Sequence, residues 1–224
     1  MGIPTVIIPG YLASAREYLP LTHDLRTLRL SALVVPLSYR SWFATLGGKP
    51  VTPILQTMAQ TIEQACKVYR TEQVHLVGHS AGGWIARILM GEKNYDGYTW
   101  GWHKRVKTLV TLGTPHLSQE RYTLTNMNFV NSTYPGAFHP GVQYVCVAGR
   151  AVYGEHNWFA RQSYRMTAGR SDCWGDGITP IECAHLTGAN NLTLEKIFHS
   201  PRRNRLWYGS PDVLASWVDY LKGD

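Results

Sequence analysis

Short β-branched runs alternate with segments of helical periodicity along most of this 224-residue chain. This alternation predicts crossover connections between strands, and hence an α/β fold with a mostly parallel sheet flanked by helices. The length fits one domain over residues 1–224. Because parallel sheets place their binding sites beyond the carboxyl ends of the strands, functional residues are expected just after strands.

Apolar periodicity and helix-capping signals place the individual elements. Strands are expected at Thr5–Ile8, Ala32–Val35, Val74–Val77, Val106–Leu112 and Gln143–Ala148, with a short sixth strand at Asn191–Leu194. Helices are expected from Ser14 to about Leu28, from Thr52 to about Tyr69, from Ala81 to Met90, and over Pro211–Leu221. Thr52 is the expected N-cap of the second helix, because Pro53 suits the first helical position.

Two long stretches, at about 114–141 and 150–175, have no clear period and are rich in aromatic side chains. Long irregular insertions in a compact domain usually have a function. Both follow strand ends, so we expect cap or lid insertions over the site. Aromatic residues of the first insertion either line an acyl groove or pack the insertion itself: Tyr122, Phe129, Tyr134 and Phe138.

The motif Gly78-His79-Ser80-Ala81-Gly82 lies directly between a predicted strand and a predicted helix. Small residues two before and two after Ser80 allow a very tight turn between the two backbones. Such a turn holds a serine in a strained conformation with its hydroxyl exposed. Ser80 is therefore the predicted nucleophile, and the side chain of His79 is expected to point away from the hydroxyl.

Backbone amides near Ser80 are candidates for an oxyanion hole. The Ala81 N–H lies in the first helical turn, where the helix dipole favours a negative charge. The loop after the first strand should supply a second donor, with Tyr11 the first choice and Leu12 the alternative. His116, beside Pro115 after a strand, is expected to line or support the site.

A serine hydroxyl needs a base, and in a fold of this class the acid and then the histidine follow the serine along the chain. His199 lies between the last predicted strand and the last predicted helix, and His185 is the alternative base. Asp176 lies between two glycines on a sharp loop and is the predicted acid, with Asp172 and Glu182 as alternatives.

Charge and composition exclude several classes of protein. The formal charge is +7, but the basic residues are scattered, and the densest cluster, Arg202, Arg203 and Arg205, is too short for a nucleic-acid arm. No nucleic-acid partner is therefore expected. The charge is compatible with transient contact with an anionic membrane surface, and the oligomeric state stays open.

The chain shows no signal peptide, no apolar run long enough for a membrane span and no metal-binding cysteine spacing. A cytoplasmic protein without a metal or cofactor is the expectation. Cys173 and Cys183 flank a loop and are close enough in sequence to pair, although a reduced pair is favoured.

Four blocks of sequence resemble a known family. They are VHLVGHSAGGWIAR (74–87), TLVTLGTPH (108–116), DGITP (176–180), and HS (199–200) followed by WYGS (207–210). The blocks are similar to the lipase/esterase branch of the α/β-hydrolases, in particular to GPI inositol-deacylase-like proteins and small bacterial and plastid lipases. Two departures are Ser118, where the family commonly has glycine, and a start at the oxyanion-loop strand, which implies a minimal version of the fold.

The resemblance implies Ser80 as nucleophile, Asp176 as acid and His199 as base. Together with the motifs it predicts a serine carboxylic-ester hydrolase that forms an acyl-enzyme, with an apolar acyl ester or lipid as substrate. A thioesterase or acyltransferase with the same three residues remains an alternative. So does a non-catalytic binding protein that has kept the fold.

Overall fold

A six-stranded sheet forms the centre of the protein. The computed structural model describes residues 2–200 and 205–222, so Arg202 and Arg203 of the predicted basic cluster lie outside the described residues. The strands of the sheet are β1 (Thr5–Ile8), β2 (Ala32–Val34), β3 (Val74–His79), β4 (Val106–Leu112), β5 (Gln143–Arg150) and β8 (Asn190–Glu195). A separate antiparallel pair consists of β6 (Val152–Tyr153) and β7 (Trp174–Gly175).

The strand order in the sheet is β2-β1-β3-β4-β5-β8, and every neighbouring pair is parallel. The helices are α1 (Leu19–Thr27), α2 (Thr52–Tyr69), α3 (Ala81–Met90), α4 (Leu124–Thr133), α5 (Trp158–Ala168), α6 (Ile181–Ala184) and α7 (Pro211–Leu214). The predicted mostly parallel sheet flanked by helices is therefore confirmed. All carboxyl ends of the sheet strands lie at one edge, where the site is expected.

The two faces of the sheet are buried in two separate hydrophobic clusters. Along β1, Val6 and Ile8 belong to the cluster that contains α2 and α3, whereas Ile7 belongs to the cluster with α1 and the C-terminal segment. Alternate side chains of a strand point to opposite faces, so a strand buried on both faces is a continuous apolar run. This explains why the strand signals in the sequence are runs rather than alternations.

Several element boundaries differ from the prediction. The helix expected from Ser14 begins with a short 3₁₀ turn, Ala15–Tyr18, in which the Glu17 carboxylate accepts the Ser14 N–H at 2.7 Å. Thr52 is already helical, and Val51 is the N-cap, so that Pro53 occupies the second position, where its missing N–H is equally harmless.

The single helix predicted over Pro211–Leu221 is wrong. The chain forms α7, then a turn, then a 3₁₀ helix at Val218–Leu221. The apolar pattern was nevertheless informative about burial, because Trp217 is fully buried and its indole N–H donates to the Tyr208 carbonyl at 3.0 Å. The burial of these apolar side chains, and not a continuous helix, positions the segment against the sheet.

The two insertions contain more regular structure than their sequences suggested. The first includes α4, and the second includes α5 between the strands β6 and β7. All four cysteines are free thiols. Within residues 2–200 and 205–222, no helix is both long and apolar enough to cross a membrane.

Candidate active site

Ser80 lies at the turn between β3 and α3 with φ 51° and ψ −125°. A positive φ is unusual for a residue with a side chain and costs on the order of 1–3 kcal/mol, which the surrounding structure must supply. The Ser80 N–H donates to the Leu112 carbonyl at 2.9 Å, and the Thr114 hydroxyl donates to the Ser80 carbonyl at 2.8 Å. These bonds to the segment after β4 hold the strained turn in place.

The glycines around Ser80 are required by close backbone contacts. A Cβ on Gly78 would lie 2.6 Å from the Gly83 backbone, and one on Gly82 would lie 2.6 Å from the Ile8 carbonyl oxygen. Real Cβ atoms do not approach backbone atoms that closely. The motif spacing thus reflects the tight packing of α3 against β3 and β1, as expected from the sequence.

The loop after β1 presents two backbone N–H groups that are candidates for an oxyanion hole. The Gly10 N–H donates to the Tyr18 hydroxyl at 2.9 Å, and the Ala13 N–H donates to the Gly10 carbonyl at 3.0 Å. Among the described hydrogen bonds, none is donated by the backbone N–H of Tyr11 or Leu12. Both amides are therefore free to bind an oxyanion, and Leu12 is held at φ 57° in the same turn.

Trp42 holds this loop in place, and the sequence did not predict that role. Its indole N–H donates to the Ala13 carbonyl at 3.0 Å, and the Tyr11 ring packs edge-on against it with 5.2 Å between centroids. Trp42 is fully buried. No local motif marks this tryptophan, because the contact depends on tertiary packing of the 3₁₀ helix Tyr39–Thr45.

Asp176 and His199 meet at the carboxyl edge of the sheet. His199 Nδ1 lies 2.7 Å from Asp176 Oδ2, while Asp176 Oδ1 accepts the N–H groups of Ile178 and Thr179 at 2.9 and 2.7 Å. A carboxylate can only accept, so His199 Nδ1 carries the proton and Nε2 is left with a lone pair. The imidazole is thereby held in the tautomer that can accept a proton from a hydroxyl.

Asp176 is almost completely buried, which by itself raises the pKa of its carboxyl group. Two causes lower this pKa: the positive charge that His199 carries when it is protonated, and the hydrogen bonds from His199, Thr179 and Tyr208. Together they outweigh the effect of burial. The pKa of Asp176 consequently lies below its ordinary value, and the group is an anion at neutral pH. Tyr208, which donates its hydroxyl to Asp176 Oδ2 at 2.7 Å, was contained in a quoted motif but not predicted as a site residue.

Ser80 and His199 line one cleft of about 320 Å³, hereafter the Ser80 cleft, together with Ala81 and Tyr11. Among the described hydrogen bonds, none joins the Ser80 hydroxyl to His199. Catalytic hydrogen bonds are commonly long without substrate and tighten when it binds. Both insertions contribute to the walls of this cleft, through Ser118, Glu120, Thr123, Ser163, Met166 and Thr167.

The aromatic residues proposed for an acyl groove do not line the Ser80 cleft. Tyr134 is buried and packs on Phe129 and Phe138, with ring centroids 6.2 and 5.2 Å apart, so these three pack the insertion. Tyr122 is 61% exposed. The apolar part of the cleft wall comes instead from Trp84, Met166 and Ile178, together with Tyr11 and Pro115.

The alternative acids and base lie elsewhere. Glu182 and Asp172 both pair with Arg170 at the surface, with N–O distances of 2.5 and 3.9 Å. His185 Nε2 lies 3.2 Å from the Thr193 hydroxyl and does not line the Ser80 cleft. The structure therefore brings together only the first-choice residues, Asp176 and His199, beside Ser80.

His116 is buried and does not line the Ser80 cleft, so of its two expected roles, lining the site or supporting it, only support remains. Its ring contacts the Thr111 hydroxyl at 3.1 Å and the Arg87 guanidinium at 3.4 Å. Burial and the neighbouring Arg87 charge lower the pKa of His116 well below its ordinary value. His116 therefore stabilises the first insertion from its buried side and does not contact substrate.

His79 points away from the Ser80 hydroxyl, as its neighbour position in the tight turn predicts. Its ring contacts the Tyr18 hydroxyl and the His199 carbonyl, both at 2.8 Å.

For metals, no group of three or more His, Cys, Asp or Glu side chains within the described ranges is arranged to hold an ion.

Solved structures share this architecture. The mature form of the Bacillus licheniformis lipase BlEst2 superimposes with a TM-score of 0.70 at 17% identity, covering 99% of this chain and 93% of that one. A Paleococcus ferrophilus monoacylglycerol lipase gives a TM-score of 0.58 at 11% identity, covering 99% and 96%. The chain has the α/β-hydrolase fold. The predicted resemblance to lipases and esterases of this class is confirmed at the level of the fold.

Sequence similarity relates this chain to a narrower group. Residues 39–134, which include Ser80, match the family described as the PGAP1-like alpha/beta domain. A Yarrowia lipolytica protein named "Putative GPI inositol-deacylase C" is 25% identical over 126 residues. That match covers 52% of this chain, and the chain corresponds to only 14% of the relative's length. The family match ends before Asp176 and His199.

Proposed function

We propose that this α/β-hydrolase is a serine carboxylic-ester hydrolase with Ser80 as nucleophile, His199 as base and Asp176 as acid. One observation carries the proposal: Ser80, in a strained turn, lines the same cleft as a histidine whose Nδ1 is bound to a buried carboxylate. A serine hydroxyl, a base and an orienting group in this order are the components of nucleophilic acyl transfer.

The proposed reaction begins when Ser80 Oγ attacks the ester carbonyl carbon while His199 Nε2 takes its proton. The carbonyl oxygen becomes an oxyanion, which accepts hydrogen bonds from the backbone N–H groups of Ala81 and Tyr11, with Leu12 as the alternative donor. The imidazolium gives its proton to the leaving alcohol oxygen as the C–O bond breaks. Water then attacks the acyl carbon while His199 Nε2 takes a proton from it. His199 returns this proton to Ser80 Oγ as the acyl–oxygen bond breaks, and the acid is released.

Asp176 stays an anion throughout this cycle. It holds the Nδ1–H of His199 and stabilises the imidazolium that forms transiently. The chemistry uses only groups of this chain, and no step calls for a cofactor. An apolar acyl ester or lipid is the proposed substrate class, supported by Trp84, Met166 and Ile178 on the cleft wall.

The test is hydrolysis of p-nitrophenyl esters of increasing acyl length by the wild type and by Ser80→Ala. We expect kcat to fall by a factor on the order of 10⁶, as for serine hydrolases in which the nucleophile is removed. Ser132→Ala, an exposed serine on α4, is the matched control and should behave as the wild type. Equal activity in the wild type and Ser80→Ala would contradict the proposal.

Competing functions predict different results. A thioesterase or an acyltransferase would prefer a thioester, or would transfer the acyl group to an added alcohol in preference to water. A non-catalytic binding protein would hydrolyse none of the esters and would not react with a fluorophosphonate probe at Ser80. Labelling of the wild type but not of Ser80→Ala would exclude that reading.

A further inference from the structure

His79 lies between three segments of the proposed active site. They are the turn at Ser80, the loop at residues 10–13 after β1, hereafter the oxyanion loop, and the loop that contains His199. It follows β3 and directly precedes Ser80 in the chain. One ring nitrogen, Nδ1, lies 2.8 Å from the Tyr18 hydroxyl, and the other, Nε2, lies 2.8 Å from the backbone carbonyl oxygen of His199. The Tyr18 hydroxyl also receives the Gly10 N–H at 2.9 Å, at the start of the oxyanion loop.

The directions of these hydrogen bonds follow from the carbonyl at one end. The His199 carbonyl can only accept, so His79 Nε2 carries a proton. A neutral imidazole then has a lone pair on Nδ1, and the Tyr18 hydroxyl must donate to it. The result is a continuous chain of hydrogen bonds, hereafter the relay, from the Gly10 N–H through Tyr18 and His79 to the His199 carbonyl. Each N–H or O–H group in the relay has an acceptor.

His79 is kept neutral by its surroundings. Burial is the main cause that lowers its pKa to about 3, and the neighbouring His199 lowers it further, with the two ring centroids 4.8 Å apart. A charged His79 would oppose the imidazolium that His199 must become during acyl transfer. It would also carry a proton on Nδ1, so that Tyr18 could no longer donate there.

The oxyanion loop has little freedom to move against this relay. A Cβ on Gly10 would lie 3.0 Å from both His79 Nδ1 and Ser80 Cβ, so Gly10 already touches the relay and the nucleophile. The amide that follows Gly10 is that of Tyr11, the first-choice oxyanion donor. A shift of Gly10 would therefore displace that donor relative to Ser80.

We propose that His79 and Tyr18 are positioning residues that fix the oxyanion loop and the backbone of His199 relative to Ser80. This inference rests on the proposed ester hydrolysis. Both residues are buried and neither lines the Ser80 cleft, so neither touches substrate in this account. Misplacement of catalytic groups by a fraction of an ångström is costly to rate while leaving ground-state binding nearly unchanged.

The first experiment compares Tyr18→Phe with the wild type on p-nitrophenyl butyrate. Removing one oxygen keeps the ring, its packing on Trp207 and the fold. We expect kcat to fall about tenfold and KM to change by less than about twofold. Tyr144→Phe is the matched control, because Tyr144 is also buried and receives a backbone N–H, from His139 at 3.4 Å, away from the site.

A double-mutant cycle distinguishes a relay from two independent structural effects. Once Tyr18→Phe has broken the relay, adding His79→Gln should lower kcat by clearly less than His79→Gln does alone. Additive losses in kcat, or a kcat for Tyr18→Phe equal to that of Tyr144→Phe, would overturn the inference while leaving ester hydrolysis intact. A wild type that neither hydrolyses esters nor reacts with fluorophosphonate would overturn the proposed function, and the positioning role with it.

A measurement on the wild type alone keeps the inference testable if a variant fails to fold. Long-range ¹H–¹⁵N correlation spectra of protein labelled at histidine nitrogens report which ring nitrogen is protonated. His79 should be neutral with the proton on Nε2 at neutral pH. A proton on Nδ1 alone, or on both nitrogens, would contradict the relay whatever the activity of the enzyme.

Discussion

Tyr208 donates its hydroxyl to Asp176 Oδ2 at 2.7 Å, the same oxygen that binds His199. The Tyr208 oxygen in turn accepts the Gly149 N–H at 2.8 Å, so this buried hydroxyl joins the end of β5 to the acid. Burial, followed by the Asp176 charge, raises the pKa of Tyr208 well above its ordinary value. The hydroxyl therefore keeps its proton and acts as a donor.

Replacing this hydroxyl should affect stability and rate together. Tyr208→Phe leaves the Gly149 N–H unpaired in the interior, which should lower the free energy of unfolding by about 1–3 kcal/mol. It also frees one side of the Asp176 carboxylate, and kcat should fall by about three- to tenfold with little change in KM. Urea denaturation and ester kinetics check the two effects, and an unchanged kcat would show that Asp176 does not need the Tyr208 hydroxyl.

Gly113, in the block Leu-Gly-Thr-Pro-His, is predicted to be irreplaceable because of Asp176. It has φ 57°, and a Cβ there would lie 2.6 Å from Asp176 Oδ2. Gly113→Ala should therefore lower kcat by at least about tenfold, because the carboxylate must move. Gly101→Ala is the matched control: it has φ 64° and open space around it, so it shares only the backbone strain. Equal loss of activity in both variants would show that the contact is unimportant.

The sequence was sufficient to predict the sheet because parallel strands buried on both faces are distinctive apolar runs. The tight turn at Ser80 was also predictable, because its glycines are imposed by local backbone contacts that always recur at such a turn. Asp176 and His199 followed from their order along the chain. For the sheet and the turn, the signal lies within a few residues of the feature that it predicts.

Tyr18, Trp42 and Tyr208 could not be predicted in the same way. Each acts through a contact made by a side chain far away in sequence, such as the separation of 61 positions from Tyr18 to His79. A buried tyrosine that bonds to a site looks the same in sequence as one that merely fills the core. The sequence likewise left two roles open for His116, because nothing in it reveals that Arg87, 29 residues earlier, occupies the adjacent space.

Buried neutral histidines should make the protein sensitive to acid. The pKa of His79 is lowered to about 3 and that of His116 well below 6.5, mainly by burial. Below about pH 6.5 the unfolded chain takes up protons that the folded chain does not, so the stability present at higher pH is lost as pH falls. For His79 the loss between about pH 7 and pH 5 should be about 2 kcal/mol.

Urea denaturation at the two pH values checks this expectation. His79→Gln removes one titrating group and should reduce the pH dependence of the unfolding free energy by roughly that amount. Ser132→Ala, at an exposed residue that does not titrate, is the control and should leave the dependence unchanged. Asp176, whose pKa is lowered, contributes with the same sign only at still lower pH. A wild type equally stable at both pH values would be inconsistent with neutral burial of these rings.

Arg87 is predicted to hold the first insertion onto α3. Its guanidinium is buried and donates to the Asn131 side chain at 3.0 Å and to the Tyr134 carbonyl at 2.7 Å. Arg87→Lys keeps the charge but loses the planar fork, so the free energy of unfolding should fall by about 2–4 kcal/mol. Arg165→Lys at an exposed site is the control. Hydrogen exchange should accelerate first in α4, and uniform acceleration would argue against a local tether.

Glu120 should set a charge preference in the Ser80 cleft. It is the only carboxylate among the described residues that line the cleft, and none of those residues is Lys or Arg. Although the chain is positively charged, the cleft should disfavour esters with an anionic acyl chain. At a separation of about 8 Å and an effective dielectric constant of about 40, between that of a protein surface and that of water, such repulsion amounts to about 1 kcal/mol.

Glu120→Gln should accordingly raise kcat/KM for the p-nitrophenyl monoester of glutaric acid by about fivefold, while p-nitrophenyl butyrate is hydrolysed as by the wild type. The difference should shrink in high salt, because a partly exposed charge is screened. Glu155→Gln, exposed and outside the cleft, is the control. If both esters respond alike to Glu120→Gln, the residue affects the shape of the cleft rather than its charge, because only repulsion distinguishes the anionic substrate from the neutral one.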